Sequence, residues 1–142
     1  MAELTLETCR TILRAALAKG AEMGWKPMSA AVVDGGGHML AFERADGASP
    51  GRFEIARAKA HGAAMLHMGG VAQAALAEAK PQVAAALTKV YGGQFFPVPG
   101  GVLLRDADGN VLGAVGVTGD TPDNDAQCAV AGAEAGGVLA EA

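Results

Sequence analysis

The sequence predicts an α+β fold in which helices pack around β-hairpins. Two pairs of short apolar segments are each joined by a glycine-containing turn, which is typical of antiparallel hairpins. The first turn is Gly35–Gly37, and the second contains Asp108 and Gly109. Segments with helical spacing of apolar residues precede, separate and follow the hairpins. Because hairpins pair their strands antiparallel, this order excludes a doubly wound parallel sheet.

The chain begins with a helix followed by the first hairpin. Apolar or small residues recur at helical spacing over residues 5–23, and Thr5 is the expected N-cap. Residues 28–34 and 38–44 are rich in Val, Ala, Leu and Phe, so they are the expected strands.

A second helical region follows the hairpin. Ser49 before Pro50 predicts a helix start, and this helix should run to about Met68. A shorter helix is expected over residues 71–79, and after Pro81 the helical pattern resumes toward residue 89.

The last third contains a loop, a hairpin and a final helix. Residues 91–101 combine aromatic side chains with Gly and Pro, a composition that favours a shaped loop over a linker. The strands of the second hairpin are expected at 102–105 and 111–117. Thr121 is the expected N-cap of the last helix, since Pro122 follows it.

The composition indicates a core that depends on close backbone approach. Apolar residues make up 51% of the 142 residues, aromatic residues only 4%, and there are 21 glycines. Gly113 and Gly116 lie within an expected strand, where glycine weakens a strand unless another element must approach closely. One domain over residues 1–142 is expected from this length.

Charge and cysteine content restrict the possible partners and location. The net charge is −4 without a cluster of Lys or Arg, which argues against a nucleic-acid partner. There is neither a signal-peptide pattern nor an apolar stretch of the ~18 residues that a membrane span needs. Cys9 and Cys128 are expected to be buried thiols, so a cytoplasmic protein is predicted.

The chain contains three histidines, His38, His61 and His67. His61 and His67 lie six apart on a helix, about 240° around it, and cannot share one metal within a chain. The simplest interpretation of each histidine is a polar residue with a satisfied hydrogen bond. His38 is the best functional candidate, because it leaves a glycine turn shortly before Arg44 and Asp46.

The remaining candidate ligands, three aspartates and two methionines, are explained by structural roles. The acids at 120, 123 and 125 are attributed to helix capping, since the loop lacks the Gly and distal Glu of a calcium site. Met65 and Met68 are expected in the core or at a subunit contact.

Cations around the second helix suggest an anion site. Arg52 and Lys59 are seven residues apart, which places both on nearly the same side of a helix, and Arg44 ends the preceding strand. Such a group could bind a carboxylate. The alternative is a set of surface ion pairs with the nearby acids Glu43, Asp46 and Glu54.

Four blocks of the chain, in order, resemble the GlcG/HbpS family, which includes the C-terminal domain of PduO-type proteins. Residues 33–48, VDGGGHMLAFERADGA, resemble its D-x-x-G-H-L-x-A-F-x-R-x-D-G-A signature, and residues 55–60 match I-A-x-x-K-A. Residues 99–102 and 109–119, with Asp125 beyond, resemble the G-G-x-P and G-x-x-x-G-A-x-G-V-S-G blocks. The chain has Leu103 in place of the proline and Thr118 in place of the serine.

The resemblance implies a profilin-like α/β/α sandwich whose five-stranded antiparallel sheet is flanked by helices. It also implies dimers or larger rings, and haem or another tetrapyrrole as ligand. Arg44, Asp46 and Lys59 would inherit the polar signature positions, and Gly100 with Gly101 the loop beside the ligand. A histidine near the N-terminus is one proposed haem ligand in relatives, and the first helix here contains none.

Three functional hypotheses follow. The first is an oligomeric haem or tetrapyrrole binder whose cations meet the propionates. The second is a small catabolic enzyme or accessory protein for an anionic carboxylate metabolite, in which Arg44 and Lys59 hold the carboxylate and His38 transfers a proton. The third is a structural subunit without a ligand. The expected ligand-binding residues are His38, Arg44, Asp46, Lys59, Phe95, Phe96, Gly100 and Gly101.

Two geometric expectations accompany the first two hypotheses. The Lys59 ammonium should lie along a shallow groove and meet Arg44 over one cleft, with Asp46 fixing the guanidinium. Phe95 and Phe96 should form a wall of that cleft.

Overall fold

Helices and strands follow one another in the predicted order, with one additional strand at the end. The computed structural model describes residues 4–142. The helices are α1 (Leu6–Glu22), α2 (Arg52–Leu66), α3 (Gly70–Ala79), α4 (Pro81–Val90) and α5 (Pro122–Ala135). The strands are β1 (Ser29–Asp34), β2 (Met39–Arg44), β3 (Gly101–Arg105), β4 (Val111–Thr118) and β5 (Leu139–Glu141).

The strands form one five-stranded antiparallel sheet in the order β2-β1-β4-β3-β5. The α+β prediction is therefore confirmed, as is the five-stranded antiparallel sheet that the resemblance implied. β5 was not identified from its residues. It has three residues, all exposed, so the alternation of buried and exposed side chains that reveals longer strands is missing.

Two of the three predicted N-caps are confirmed. The Thr5 side chain accepts from the backbone N–H of Thr8 at 3.1 Å, and Thr121 accepts from that of Asn124 at 3.2 Å. The prediction for Ser49 is wrong, because the N-cap of α2 is Gly51, two residues later. The Ser49 hydroxyl instead accepts from the side chain of Arg52 at 3.3 Å.

Helices cover both faces of the sheet. Side chains of α1 and α5 pack with one face of the sheet in a single buried cluster, which includes Ile12, Val32, Val115 and Cys128. On the other face, the alanines of α2 pack against Val33 and Ala114. Cys9 and Cys128 are buried free thiols, as predicted, and burial raises the pKa of both.

Glycines in β4 bring α2 into direct contact with the sheet. A Cβ on Gly116 would lie 2.6 Å from the Ala60 backbone nitrogen and 3.1 Å from the Lys59 Cβ. On Gly113 it would lie 2.6 Å from Leu4 Cδ1. The prediction that something approaches these glycines closely is confirmed. Within residues 4–142, none of the helices has the length and hydropathy that crossing a bilayer requires.

Candidate functional site

The turn between β1 and β2 is organised by Asp34. Its Oδ1 accepts from the backbone N–H groups of Gly36 at 2.9 Å and His38 at 3.0 Å, and it lies 3.2 Å from His38 Nδ1. The bond from the His38 N–H is the main reason that the pKa of Asp34 is lowered. The His38 side chain is 82% exposed, so the structure places this predicted site residue on an open turn.

The same turn packs against α2 through Gly37. Gly37 has φ +80°, and a Cβ at this position would lie 2.8 Å from His61 Cδ2 and 2.9 Å from Met65 Cε. The His61 ring also meets Tyr91 edge to face, with 5.6 Å between the ring centroids. His61, Gly37, Met65, Tyr91 and Gln94 together form what we call the His61 face.

Hydrogen bonding defines which tautomer the neutral His61 ring adopts. Its Nδ1 lies 2.8 Å from the Gln94 carbonyl oxygen. Since a carbonyl oxygen can only accept, Nδ1 carries the proton, and neutral His61 has a lone pair on Nε2. A hydrogen bond of this kind orients histidines that bind metals through the other nitrogen. Among residues 4–142, Nε2 has no hydrogen-bond partner, and it faces the glycine turn, 3.2 Å from where a Cβ on Gly37 would lie.

The contacts of His61 cannot be predicted from the sequence, because its partners are remote along the chain. Gln94 lies 33 positions away, and the contact with Gly37 depends on how α2 crosses the first hairpin. The sequence does contain a histidine on a helix, a glycine turn and a loop with aromatic residues, which are the three features that meet at this site. Sequence spacing alone does not show which histidine meets them.

Lys59 is buried, which contradicts the expectation of an open groove. The side chain is 2% exposed, and Nζ donates to Asp125 Oδ2 and to the Val117 carbonyl oxygen, both at 3.0 Å. The close approach of α2 to Gly116 leaves the lysine between helix and sheet, with no route to the surface. The expectation that Lys59 and Arg44 meet over one cleft is therefore wrong.

Burial opposes charge on both partners of this pair. Desolvation lowers the pKa of Lys59 and raises that of Asp125, while the attraction between the two groups acts in the opposite sense. Asp125 Oδ1 also accepts from the backbone N–H of Asp120 at 2.9 Å. The attribution of Asp125 to helix capping is thus wrong, since its carboxylate binds a buried ammonium and fixes a neighbouring loop.

Gly100 and Gly101 lie above the same lysine. Gly100 has φ +124°, and a Cβ there would lie 2.7 Å from Lys59 Nζ. Both glycines are buried, and Gly101 packs on the Lys59 backbone. Three predicted site residues are thus brought together inside the molecule. Contact between these glycines and a ligand stays a prediction.

Arg44 and Asp46 are exposed at the far end of β2. The expected bond between the Arg44 guanidinium and Asp46 is not formed among residues 4–142. Arg44 lies seven positions beyond Gly37, which is roughly 20 Å along a strand. It therefore cannot share one small ligand site with His61.

The two phenylalanines of the loop point in different directions. Phe95 is 3% exposed and packs on Gly62, where a Cβ would lie 3.0 Å from Phe95 Cδ1. Phe96 is 40% exposed. The expectation that both form a wall of a cleft is wrong for Phe95, because glycine at position 62 opens a place for its ring inside the protein.

A cavity of about 370 Å³ lies outside all of these groups. Its lining comes from α1, α5 and the C-terminus, and it is mostly formed by small or apolar residues with Lys19 and Glu134 at its side. It contains no histidine, cysteine or methionine. Within the described chain, no three His, Cys, Asp or Glu side chains are grouped so that they could hold a bare metal ion.

A family model and solved structures indicate one family. The family model described as haem degrading protein HbpS-like matches residues 4–134. The crystal structure of HbpS is 31% identical over 94% of this chain and 90% of that chain, with a TM-score of 0.81. The protein ORFY of Klebsiella pneumoniae is 26% identical over 98% and 94%, with a TM-score of 0.85.

A more distant structure shares the fold. The crystal structure of a PduOC–haem complex is 22% identical over 97% of this chain and 98% of that chain, with a TM-score of 0.85. A comparison with curated protein sequences gives no significant match. On the match of the family model over residues 4–134, this chain belongs to the HbpS-like family.

Proposed function

We propose that this chain, as one domain over residues 1–142, binds haem and that His61 is a ligand of the iron. The observation that carries the proposal is the bond between His61 Nδ1 and the Gln94 carbonyl at 2.8 Å, which leaves the Nε2 lone pair for a metal. The family match supports haem as the ligand.

The donor set fits haem better than a bare ion. A bare zinc or iron ion needs several protein ligands, and the described residues provide no group of three. Haem brings four ring nitrogens of its own, so that one histidine is sufficient. When bound, haem supplies an iron centre for redox or ligand-binding chemistry. The chain supplies the nitrogen and holds its ring in place.

The surroundings of His61 suit a flat apolar ligand. Tyr91 and Met65 adjoin the imidazole, and Val90, which is the last residue of α4 and precedes Tyr91, is 72% exposed. Phe96 is exposed further along that loop. An aromatic macrocycle gains free energy by covering such side chains, since their apolar area is removed from water.

A haemin titration followed by visible absorption tests the proposal. The unmodified chain should show a saturating shift of the Soret band near one haemin per chain, and His61→Ala should abolish it. His67→Asn is the matched control, because His67 is exposed with φ 51°, a conformation that asparagine tolerates.

His38→Ala separates the two histidines that contact the glycine turn. We expect it to retain the Soret shift. Loss of the shift in His38→Ala with an intact shift in His61→Ala would transfer the ligand role to His38 and refute the assignment to His61. The absence of a shift in the unmodified chain would refute haem binding itself.

We also propose that the chain forms homo-oligomers in the cytoplasm. β2 is an edge strand, and its Met39 and Leu40 side chains are 37% and 36% exposed, so a second copy could cover them. Free buried thiols fit a reducing compartment. Light scattering that shows a stable monomer at micromolar concentration would refute the oligomer.

A further inference from the structure

A small cavity lies at the end of α2 opposite the His61 face. It measures about 190 Å³, and its wall includes Lys26, Pro27, Gly47, Ser49, Arg52 and Gly119. The wall contains two cationic side chains, and neither belongs to the residues around His61. We call this space the Arg52 cavity.

Arg52 is held in position without being neutralised. Its Nε donates to the Ser49 hydroxyl at 3.3 Å, and its Nη1 donates to the Thr118 hydroxyl at 2.9 Å. Both acceptors are neutral, so they orient the guanidinium and leave its charge uncompensated. The remaining N–H groups of the guanidinium can donate to a carboxylate in the paired geometry that arginine favours.

The nearby Asp120 carboxylate does not pair with Arg52. Asp120 accepts from the Lys26 backbone N–H at 3.0 Å and from the Asn124 side chain at 2.8 Å. Across residues 4–142, no carboxylate comes within ion-pair distance of the side chains of Lys26 or Arg52. The Arg52 guanidinium therefore adjoins the cavity without a carboxylate partner, whereas the charge of Lys26 is attracted by the nearby Asp120 carboxylate.

A buried hydroxyl beside Arg52 also lacks a partner. Ser29 lies opposite Thr118 on one side and Arg44 on the other in the register of the sheet. Its Oγ is fully buried and makes no hydrogen bond to any described residue. Ser29 is not among the residues that line the cavity, so the charges of Arg52 and Lys26 are what favour an anion there.

The walls of the cavity are built from small residues. A Cβ on Gly119 would lie 2.8 Å from Met28 Sδ, and Gly47 has φ +84°, so both positions require glycine. One water occupies about 30 Å³ in the liquid, so the cavity corresponds to roughly six waters. That space suits a compact acid and excludes a macrocycle.

We propose that the Arg52 cavity binds a small mono- or dicarboxylate, with the Arg52 guanidinium as the anchoring group and the Lys26 ammonium as a second cation. Gly47, Pro27 and Gly119 would surround the short carbon chain of the acid. This site is independent of haem, because it is formed at the other end of α2.

Calorimetric titration with malonate at pH 7 tests the proposal. Malonamide, acetate and inorganic phosphate serve as comparison probes. We expect one malonate per chain, no binding of malonamide, and weaker binding of phosphate. Arg52→Gln should weaken malonate binding at least tenfold, and Lys26→Gln about threefold. Lys89→Gln is the matched control, since Lys89 is exposed in the last turn of α4.

The outcomes distinguish this site from general charge effects. An equal loss in Lys89→Gln, no measurable binding of malonate, or tighter binding of phosphate than of malonate would each overturn the proposal. Circular dichroism checks that Arg52→Gln is folded, and if it is not, Lys26→Gln carries the test. Haemin titration of the same variants should be unchanged, so failure here and failure of haem binding are separate results.

Discussion

Replacement of Gly37 by alanine tests whether the glycine turn positions His61. Gly109 offers a matched control in the second hairpin. The two glycines have φ +80° and +86°, and each donates its N–H to the carbonyl of an aspartate three residues earlier, at 2.9 Å and 3.0 Å. They differ in surroundings, because a Cβ on Gly109 would meet nothing within 4 Å, whereas one on Gly37 would meet His61 and Met65.

The difference between the two variants follows from this geometry. Alanine at a positive φ costs about 1–2 kcal/mol at either position. At position 37 the new methyl would also lie 2.8 Å from His61 Cδ2 and 2.9 Å from Met65 Cε, so at least one of these side chains must move. Overpacking of this kind adds roughly 1–3 kcal/mol. We therefore expect Gly37→Ala to lose about 2–5 kcal/mol of unfolding free energy and Gly109→Ala about 1–2.

Urea denaturation at pH 7 measures the two losses, and haemin titration measures the consequence for the site. Gly37→Ala should weaken haemin binding, because the added Cβ would displace the imidazole, and Gly109→Ala should not. Equal losses of stability in both variants, together with unchanged haemin binding by Gly37→Ala, would refute the packing of His61 on this turn.

Three further predictions concern buried or hydrogen-bonded groups. Lys59→Met leaves the Asp125 carboxylate buried without its ammonium. Urea denaturation should therefore show that the free energy of unfolding falls by about 3–5 kcal/mol, and adding Asp125→Asn to this variant should restore part of it. Backbone N–H bonds, chiefly from Lys26, lower the pKa of Asp120 from 3.8 to about 2. The ionised Asp120 carboxylate therefore stabilises the folded chain above pH 3.8, and this stabilisation is lost as the pH falls toward 2. The urea midpoint of the unmodified chain should therefore fall more steeply from pH 4 to 2 than that of Asp120→Asn. Burial raises the pKa of Cys128 to about 11, so a thiol reagent at pH 8 should modify it far more slowly in the native chain than in urea, and equal rates would contradict the burial.

Local features of the fold were predictable because their causes are local. The caps at Thr5 and Thr121 depend on a hydroxyl and the helix that follows it, and the turn at Gly109 depends on adjacent residues. The glycines of β4 predicted a close contact for a different reason. Glycine weakens a strand, so its presence there indicates that close packing offsets the loss of stability. β5 has no such signal in its own residues.

The candidate site was less predictable because its contacts join remote segments. Position on a helix face placed Lys59 on the same side as Arg52, but it did not show that this side lies against the sheet. The sequence identifies His61 and Arg52 only as residue types that can bind a metal or an anion. Their roles depend on Gln94 and Thr118, which only the folded chain brings beside them.

The contact between α2 and Gly116 changes which mutations can harm this protein. Most cores are damaged when a large side chain is removed and a cavity remains. On this face the inward residues, such as Ala56, Ala60 and Ala63, are already alanines, and the sheet beneath them is partly glycine. Apart from Lys59, little volume can be lost here, so harm comes mainly from added atoms, and a single methylene is enough to push helix and sheet apart. Efforts to stabilise the protein by filling its core should therefore avoid this layer and turn to the larger side chains between α1, α5 and the sheet.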